Sequence, residues 1–418
     1  MFHFLYYGLV EPSHGTSKQQ KREVLLMKIT VVGAGQCGSR IADEFARLGA
    51  KARRHRGIEV ITNSLAVNTD AGDLTGLSSI KSDWRHRILI GGRKTNGHGV
   101  GKINDVAADI AKDDADKVID AIRASKRFYE SDAFLLVAST AGGTGSGSIP
   151  VLCSVIKQRH VDKPVYVMLV LPFEHEEQTE HRTIYNSAMC LKSVSSVADA
   201  VILVDNQRYI KKDASLRNNM TKINELIVEP FYDILCAGEE KKKKNIGARL
   251  LDAGDIAQTL AGWTIVGYGK SQLHAISLPF IRKRDFRAKS LENSKGLQAM
   301  DQAISELSLQ CNPRDAGRAL YLLSAPEKEM NMTLVKELGD YLKNIAPEAV
   351  IRYGDYPRKE GALTVSVVLS ELKNVEKVKY LYNRFPEMLE KKEKTERSLM
   401  AGKKELETAS IGIPSLVE

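Results

Sequence analysis

The stretch FLLVASTAGGTGSGSIP, Phe134 to Pro150, decides how the chain is read. An apolar run reads as a buried strand and stops near Ser139. Then Gly142, Gly143, Gly145 and Gly147 alternate with Thr144 and Ser146, before a helical pattern begins. Glycine tolerates positive φ and lets backbone N–H groups come close to an anion at a helix N-terminus. The interleaved hydroxyls add donors for phosphate oxygens. So much glycine directly after a buried strand reads as a phosphate cradle rather than a plain turn.

A second cradle lies upstream in KITVVGAGQCGSRIADEF, Lys28 to Phe45. Gly33, Gly35 and Gly38 are spaced G-x-G-x-x-G, the usual dinucleotide fingerprint, although its physics fits any phosphate. An NAD-dependent oxidoreductase has no need of the other loop. It also wants an acid at the end of its second strand, whereas Glu59 reads as lying inside the strand GIEVITN. The segment NGHGVGKI lacks the leading glycine of a P-loop and ends in Ile103 rather than Ser or Thr. Two glycine loops on adjacent strand ends suit one extended polyphosphate.

The 418 residues are 43% hydrophobic and 27% charged, enough for two ordinary domains with a sizeable core. No apolar run is long enough to span a bilayer. The opening MFHFLYYGLV is short and lacks a basic n-region and a cleavage site, so residues 1–26 read as a disordered leader or an early start ahead of Met27. An amphipathic anchor is the alternative there. The five cysteines, Cys37, Cys153, Cys190, Cys236 and Cys311, are far apart and form no C-x-x-C. That pattern argues for a reducing cytoplasm and against a disulfide framework or structural zinc. The net charge of +9 is spread over small clusters, KARRHR at 51–56, KKKK at 241–244 and RKRDFRAK at 282–289. They read as solvated surface. None is interleaved with stacking aromatics, so direct nucleic-acid binding is not expected.

From 28 to about 205, apolar strands alternate with helical patterns: KITVV, GIEVITN, RILIG, AFLLVAS, PVYVMLVLP and AVILVDN. Several are apolar nearly throughout, as in strands buried on both faces, and the alternation predicts a doubly wound parallel α/β sheet. Leu216, Met220, Ile223, Ile227, Phe231 and Ile234 recur at helical spacing, predicting one long amphipathic helix that Pro230 kinks or ends. A second domain follows, with strands at WTIVGYG, RALYLLSAP, AVIRYGD and LTVSVVLSE.

On these motifs the chain resembles the tubulin/FtsZ superfamily. GGTGSG is the superfamily signature, and GQCG is similar to tubulin's first nucleotide loop. NTDAGDL, Asn68 to Leu74, resembles the second loop of FtsZ. GHGVG, Gly97 to Gly101, and RYGDYP, Arg352 to Pro357, are similar to CetZ, the archaeal branch. The resemblance spans about 28–385. It implies an α/β fold in which a parallel-sheet GTPase domain (27–210) leads through a central helix and catalytic loop (211–261) to a smaller α/β activation domain (262–385). The leader at 1–26 and a charged tail at 386–418 flank these.

The resemblance also implies roles. Gly35, Gln36 and Cys37, with Gly142, Gly143, Thr144, Gly145, Ser146 and Gly147, would hold the phosphates of GTP or GDP. Asp70 would hold Mg²⁺ through water, with Asp73 a second candidate, though Asp70 also suits a turn-closing acceptor. Gly99 belongs to the loop that would sense the γ-phosphate. Glu176 stands where relatives contact the sugar. Asn206 and Asn224 each offer a donor and an acceptor for guanine. Asp252 and Asp255 in RLLDAGDIAQTL resemble the catalytic loop of FtsZ, whose asparagine two residues earlier is Leu250 here. The same spacing also suits a helix cap with an acid in the first turn. In this superfamily such acids act on the next subunit, which implies a head-to-tail filament of the protein with itself, cytoskeletal and concerned with shape. A nucleotide-binding scaffold with little hydrolysis and a plasmid-partitioning relative are the alternatives. The tail SIGIPSLVE is loosely similar to an FtsZ segment that docks membrane adaptors.

Overall fold

The computed structural model describes residues 26–210, 216–239, 246–273, 286–358 and 361–413. The leader apart from Leu26, the KKKK cluster and the last five residues of the tail lie outside the described residues. So does the RKRD part of the third basic cluster.

Ten strands among the described residues form a single sheet. They are β1 (Ile29–Ala34), β2 (Ile61–Asn68), β3 (Arg87–Leu89), β4 (Ala133–Ser139), β5 (Val165–Leu171), β6 (Ala200–Asp205), β7 (Gly262–Gln272), β8 (Arg318–Ala325), β9 (Val350–Pro357) and β10 (Ala362–Ser370). Their order is β3-β2-β1-β4-β5-β6-β7-β10-β8-β9. Every pairing from β3 across to β7 is parallel, and β10 lies antiparallel to both β7 and β8. Strand β7 belongs to both halves. Gly262, Trp263 and Thr264 pair with β6, and Ile265 to Gln272 pair with β10.

The apolar runs become strands because both faces are covered. In β4, Phe134 and Leu136 face one core while Leu135 and Val137 face the other, and all are buried. One expectation shifts. The second strand begins at Ile61 rather than at Gly57 and runs on to Asn68. Gly57 ends the preceding helix in the left-handed conformation. Glu59 is therefore not inside the strand; it lies ahead of β2, paired with Arg53 and with Arg127 at 2.7 Å.

The long helix Leu216–Cys236 does not end at Pro230. Proline removes one ladder bond, but burial of Phe231, Ile234 and Leu235 beyond it offsets that loss. This central helix packs on the helix Gly35–Arg56, where Phe45 and Phe231 meet edge to face at 5.5 Å. The KARRHR cluster is not all solvated surface, since Arg56 is half-buried over the Tyr356 ring at 4.4 Å and pairs with Glu239 at 3.4 Å. The last described helix, Glu376–Ala409, runs straight through Pro386. Its early turns bind back to the parallel half through Lys377–Glu177 at 2.7 Å and a Phe385–Tyr185 stack at 5.4 Å. No described helix is long and apolar enough to cross a membrane, and none of the five cysteines is paired.

Candidate functional site

Strand order in the parallel half reverses between β1 and β4. In open α/β sheets the crevice outside the carboxyl ends at such a point takes ligands. Both glycine loops leave from there. Gly35 follows β1 at φ +71° and starts its helix, and a Cβ on it would stand 2.8 Å from the amide nitrogen of Gly145. The two loops therefore touch through backbone, which only glycine allows. Gly38 is equally constrained, since a Cβ there would meet the Val137 carbonyl of β4 at 2.1 Å. A Cβ on Gly142, by contrast, would meet nothing within 4 Å. Gly143 caps the helix Thr144–Arg159, so the N-termini of two helices converge on one crevice.

Other loops close round it. Thr69, just after β2, shares a 2.6 Å hydroxyl hydrogen bond with Thr144. Asp70 caps a short helix, its Oδ1 accepting from the Asp73 amide at 3.0 Å, and forms an isolated bridge with His98. Asp73 accepts from Gln36 at 2.7 Å and from Asn68 at 3.0 Å, joining the first loop to the second. Gly99, at φ +77°, donates its amide to the Thr69 carbonyl at 3.2 Å. Ser146 donates to the carbonyl of Gly142, and to that of Gly143 at 3.2 Å. Its hydroxyl hydrogen is thus spent on the loop itself. Gly147 packs against the carbonyl of Asn104, where a Cβ would stand 2.1 Å away.

Glu176 follows β5 and folds back to accept from the Phe173 amide at 3.0 Å. Cys37 is half-buried nearby. Burial pushes its thiol up to about 12, Arg40 working against the rise and Glu176 with it, so it is no nucleophile at neutral pH. Asn206 is buried at the end of β6. Asn224 is half-buried on the central helix, which packs against the Asn206–Tyr209 turn.

Asp252 and Asp255 stand apart from all of these. Asp252 caps the helix Ala253–Thr259 by accepting from the Asp255 amide at 2.8 Å. That helix leads directly into the amino end of β7, which pairs parallel with the amino end of β6. The acids thus lie at the opposite pole of the sheet from the glycine loops. A strand rises about 3.3 Å per residue, so the length of β4 to β6 puts roughly 20 Å between the poles.

Sequence reasoning missed Asn186. Fully buried, it donates to the carbonyls of Lys102 at 2.9 Å, Gly142 at 3.0 Å and Ala141 at 3.3 Å, clasping two loops of the crevice. A signal was present: Thr183, Asn186 and Ser187 put polar groups three and four residues apart on a helix face that is otherwise apolar.

Comparison with known proteins places this architecture. Residues 28–212 match the Tubulin/FtsZ family GTPase domain, and residues 213–387 match the C-terminal domain of tubulin-like CetZ. The tubulin-like protein CetZ1 of Haloferax volcanii is 30% identical over 371 residues, covering 85% of this chain and 91% of its own. The chain belongs to the tubulin/FtsZ family, in its CetZ branch. Two solved structures are similar along their whole length. The GDP-bound monomer of CetZ1 from Haloferax volcanii is 28% identical with a TM-score of 0.73, covering 86% of this chain and 99% of that one. The GTPγS-bound protofilament of CetZ2 from the same organism is 26% identical with a TM-score of 0.75, covering 88% and 100%.

Proposed function

We propose that the chain is a GTP-dependent, self-assembling cytoskeletal filament protein of the cytoplasm that hydrolyses GTP at the junction between subunits. The separation of the two poles carries this reading. The glycine loops offer backbone amides for a polyphosphate, and the carboxylates suited to orienting a water lie a sheet's length away. A single chain cannot bring them together, whereas a head-to-tail pair does. Such a contact is heterologous and non-closing, the geometry of open filaments. The bound states of the two similar structures, GDP in a CetZ1 monomer and GTPγS in a CetZ2 protofilament, support it.

In this reading the amides of the Gly35–Cys37 and Gly142–Gly147 segments hold the phosphates. Glu176 faces the sugar, and Asn206 and Asn224 read guanine. The open space at Gly142 and the backbone contact of Gly35 with Gly145 fit a phosphate chain laid along both loops. Magnesium fits a site where protein carboxylate is scarce and phosphate completes the ligand set, and Asp70 would hold it through water. Bound there, it would neutralise charge on the terminal phosphates. Asp252 and Asp255 of the following subunit position the water, and catalysis is chiefly positioning and charge stabilisation.

GTP turnover per subunit, measured against protein concentration alongside light scattering, tests this. Turnover should rise steeply where scattering appears. Asp252→Ala and Asp255→Ala should assemble, hydrolyse on the order of a hundredfold more slowly and disassemble late. Full-rate hydrolysis by monomers diluted below assembly would overturn it.

A further inference from the structure

The segment RYGDYP of β9 has no part in the nucleotide crevice, yet it grips the acid loop at several points. Asp355 accepts from the amides of Ala248 at 2.9 Å and Arg249 at 2.6 Å, and returns its own amide to the Arg249 carbonyl at 3.0 Å. Gly354 leaves room for the loop, since a Cβ there would stand 2.9 Å from that of Leu251. The Tyr353 ring lies beneath the Arg249 guanidinium at 3.9 Å. The segment thus fixes the backbone on which Asp252 and Asp255 are carried.

Arg352 completes the grip through its side chain. Its Nη2 donates to Gln258 Oε1 at 2.7 Å, on the far end of the short acid helix, and its Nε lies 3.6 Å from Asp255 Oδ1. Nη1 is buried and has no hydrogen-bond partner among the described residues, so the guanidinium keeps a donor in reserve. Asp252 holds the backbone amide of Asp255, not its carboxylate.

There is an electrostatic reason for such a residue. Two carboxylates that approach a polyphosphate are repelled by it, and the repulsion grows as water leaves the junction. A guanidinium beside one of them offsets that cost and fixes the oxygen's direction. Arg249 and Arg318 stand on the same pole. Arg318 donates to the Gln258 carbonyl at 2.6 Å and pairs with Glu371 at 2.9 Å.

We propose that Arg352 is a positioning residue for Asp255, the side-chain end of a clamp, Arg352 to Pro357, that presents the acid loop to the neighbouring subunit's terminal phosphate. This rests on the reading of Asp255 as an acid acting across the junction, and the experiment separates the two. Arg352→Gln, Asp255→Asn and the double variant are compared with wild type by GTP turnover per assembled subunit. Pelleted filament fixes the denominator, and thermal melting reports on folding. Arg352→Gln should lower turnover per assembled subunit roughly tenfold or more, and should cost nothing further in the Asp255→Asn background. Arg352→Lys, which keeps the charge but cannot bridge Gln258 and Asp255 together, should recover part of the loss. Should Arg352→Gln fail to assemble, Arg352→Lys carries the same comparison. Wild-type turnover in assembled Arg352→Gln, or an equal loss in the Asp255→Asn background, overturns the inference. If Asp255→Asn itself turns over at the wild-type rate, the junction reading fails first.

Discussion

Asn186 shows how much one buried amide can organise. Its Nδ2 satisfies carbonyls from Lys102, just past the GHGVG segment, and from Ala141 and Gly142 in the signature loop. Buried carbonyls stripped of a donor cost about 1–3 kcal/mol each, less what water recovers. Asn186→Ala should therefore keep the fold and lose guanine-nucleotide affinity by roughly tenfold, measured by titration of a fluorescent GDP; unchanged affinity would mean the clasp is decorative. The glycines of the crevice were legible in the sequence because their composition is local. The clasp was not, since its partners lie 84 and 44 residues away. Arg352 was hidden likewise, being 94 residues from Gln258. The capping geometry of Asp252 was legible from spacing alone, because a cap is written within four residues.

At the scale of elements, the central strands lie on apolar runs, since burial on both faces leaves a continuous signal. Boundaries were less legible. The shift in β2 follows from Gly57 and the ion-paired Glu59, a pairing with residues on other elements. The helix Thr144–Arg159 ends at His160, whose ring sits 5.0 Å from Phe128 and 5.3 Å from Phe134. Burial holds its pKa below the ordinary imidazole value, and Arg123 and Lys163 deepen the effect. The folded chain therefore resists a proton that the unfolded chain takes up from about pH 6.5 downward. His160 contributes its full stability above that pH and loses it as pH falls toward its depressed folded value. His160→Phe should retain more of its melting temperature between pH 7.5 and 5.5 than wild type. Parallel declines in the two proteins would assign the acid sensitivity elsewhere.

The whole molecule is defined by its two unlike poles, and mixing variants exposes that arrangement. Gly145→Ala crowds the Ala34 carbonyl at 2.9 Å and spoils the nucleotide pole while leaving the acids intact. Asp255→Ala does the reverse. A mixture of the two should hydrolyse GTP faster than the sum of the separate proteins, because one class of junction is then complete. Mere additivity in a coupled phosphate-release assay would count against a shared site. Strand β7 adds a mechanical consequence. It joins the parallel half of the sheet through β6 to the half that carries the Arg352 clamp through β10 and β8. Tension along a filament would enter one pole and leave by the other through hydrogen-bonded strands loaded in shear, because the described strands run as one unbroken sheet. Each subunit should then behave as a stiff link, with compliance concentrated at the contacts between links.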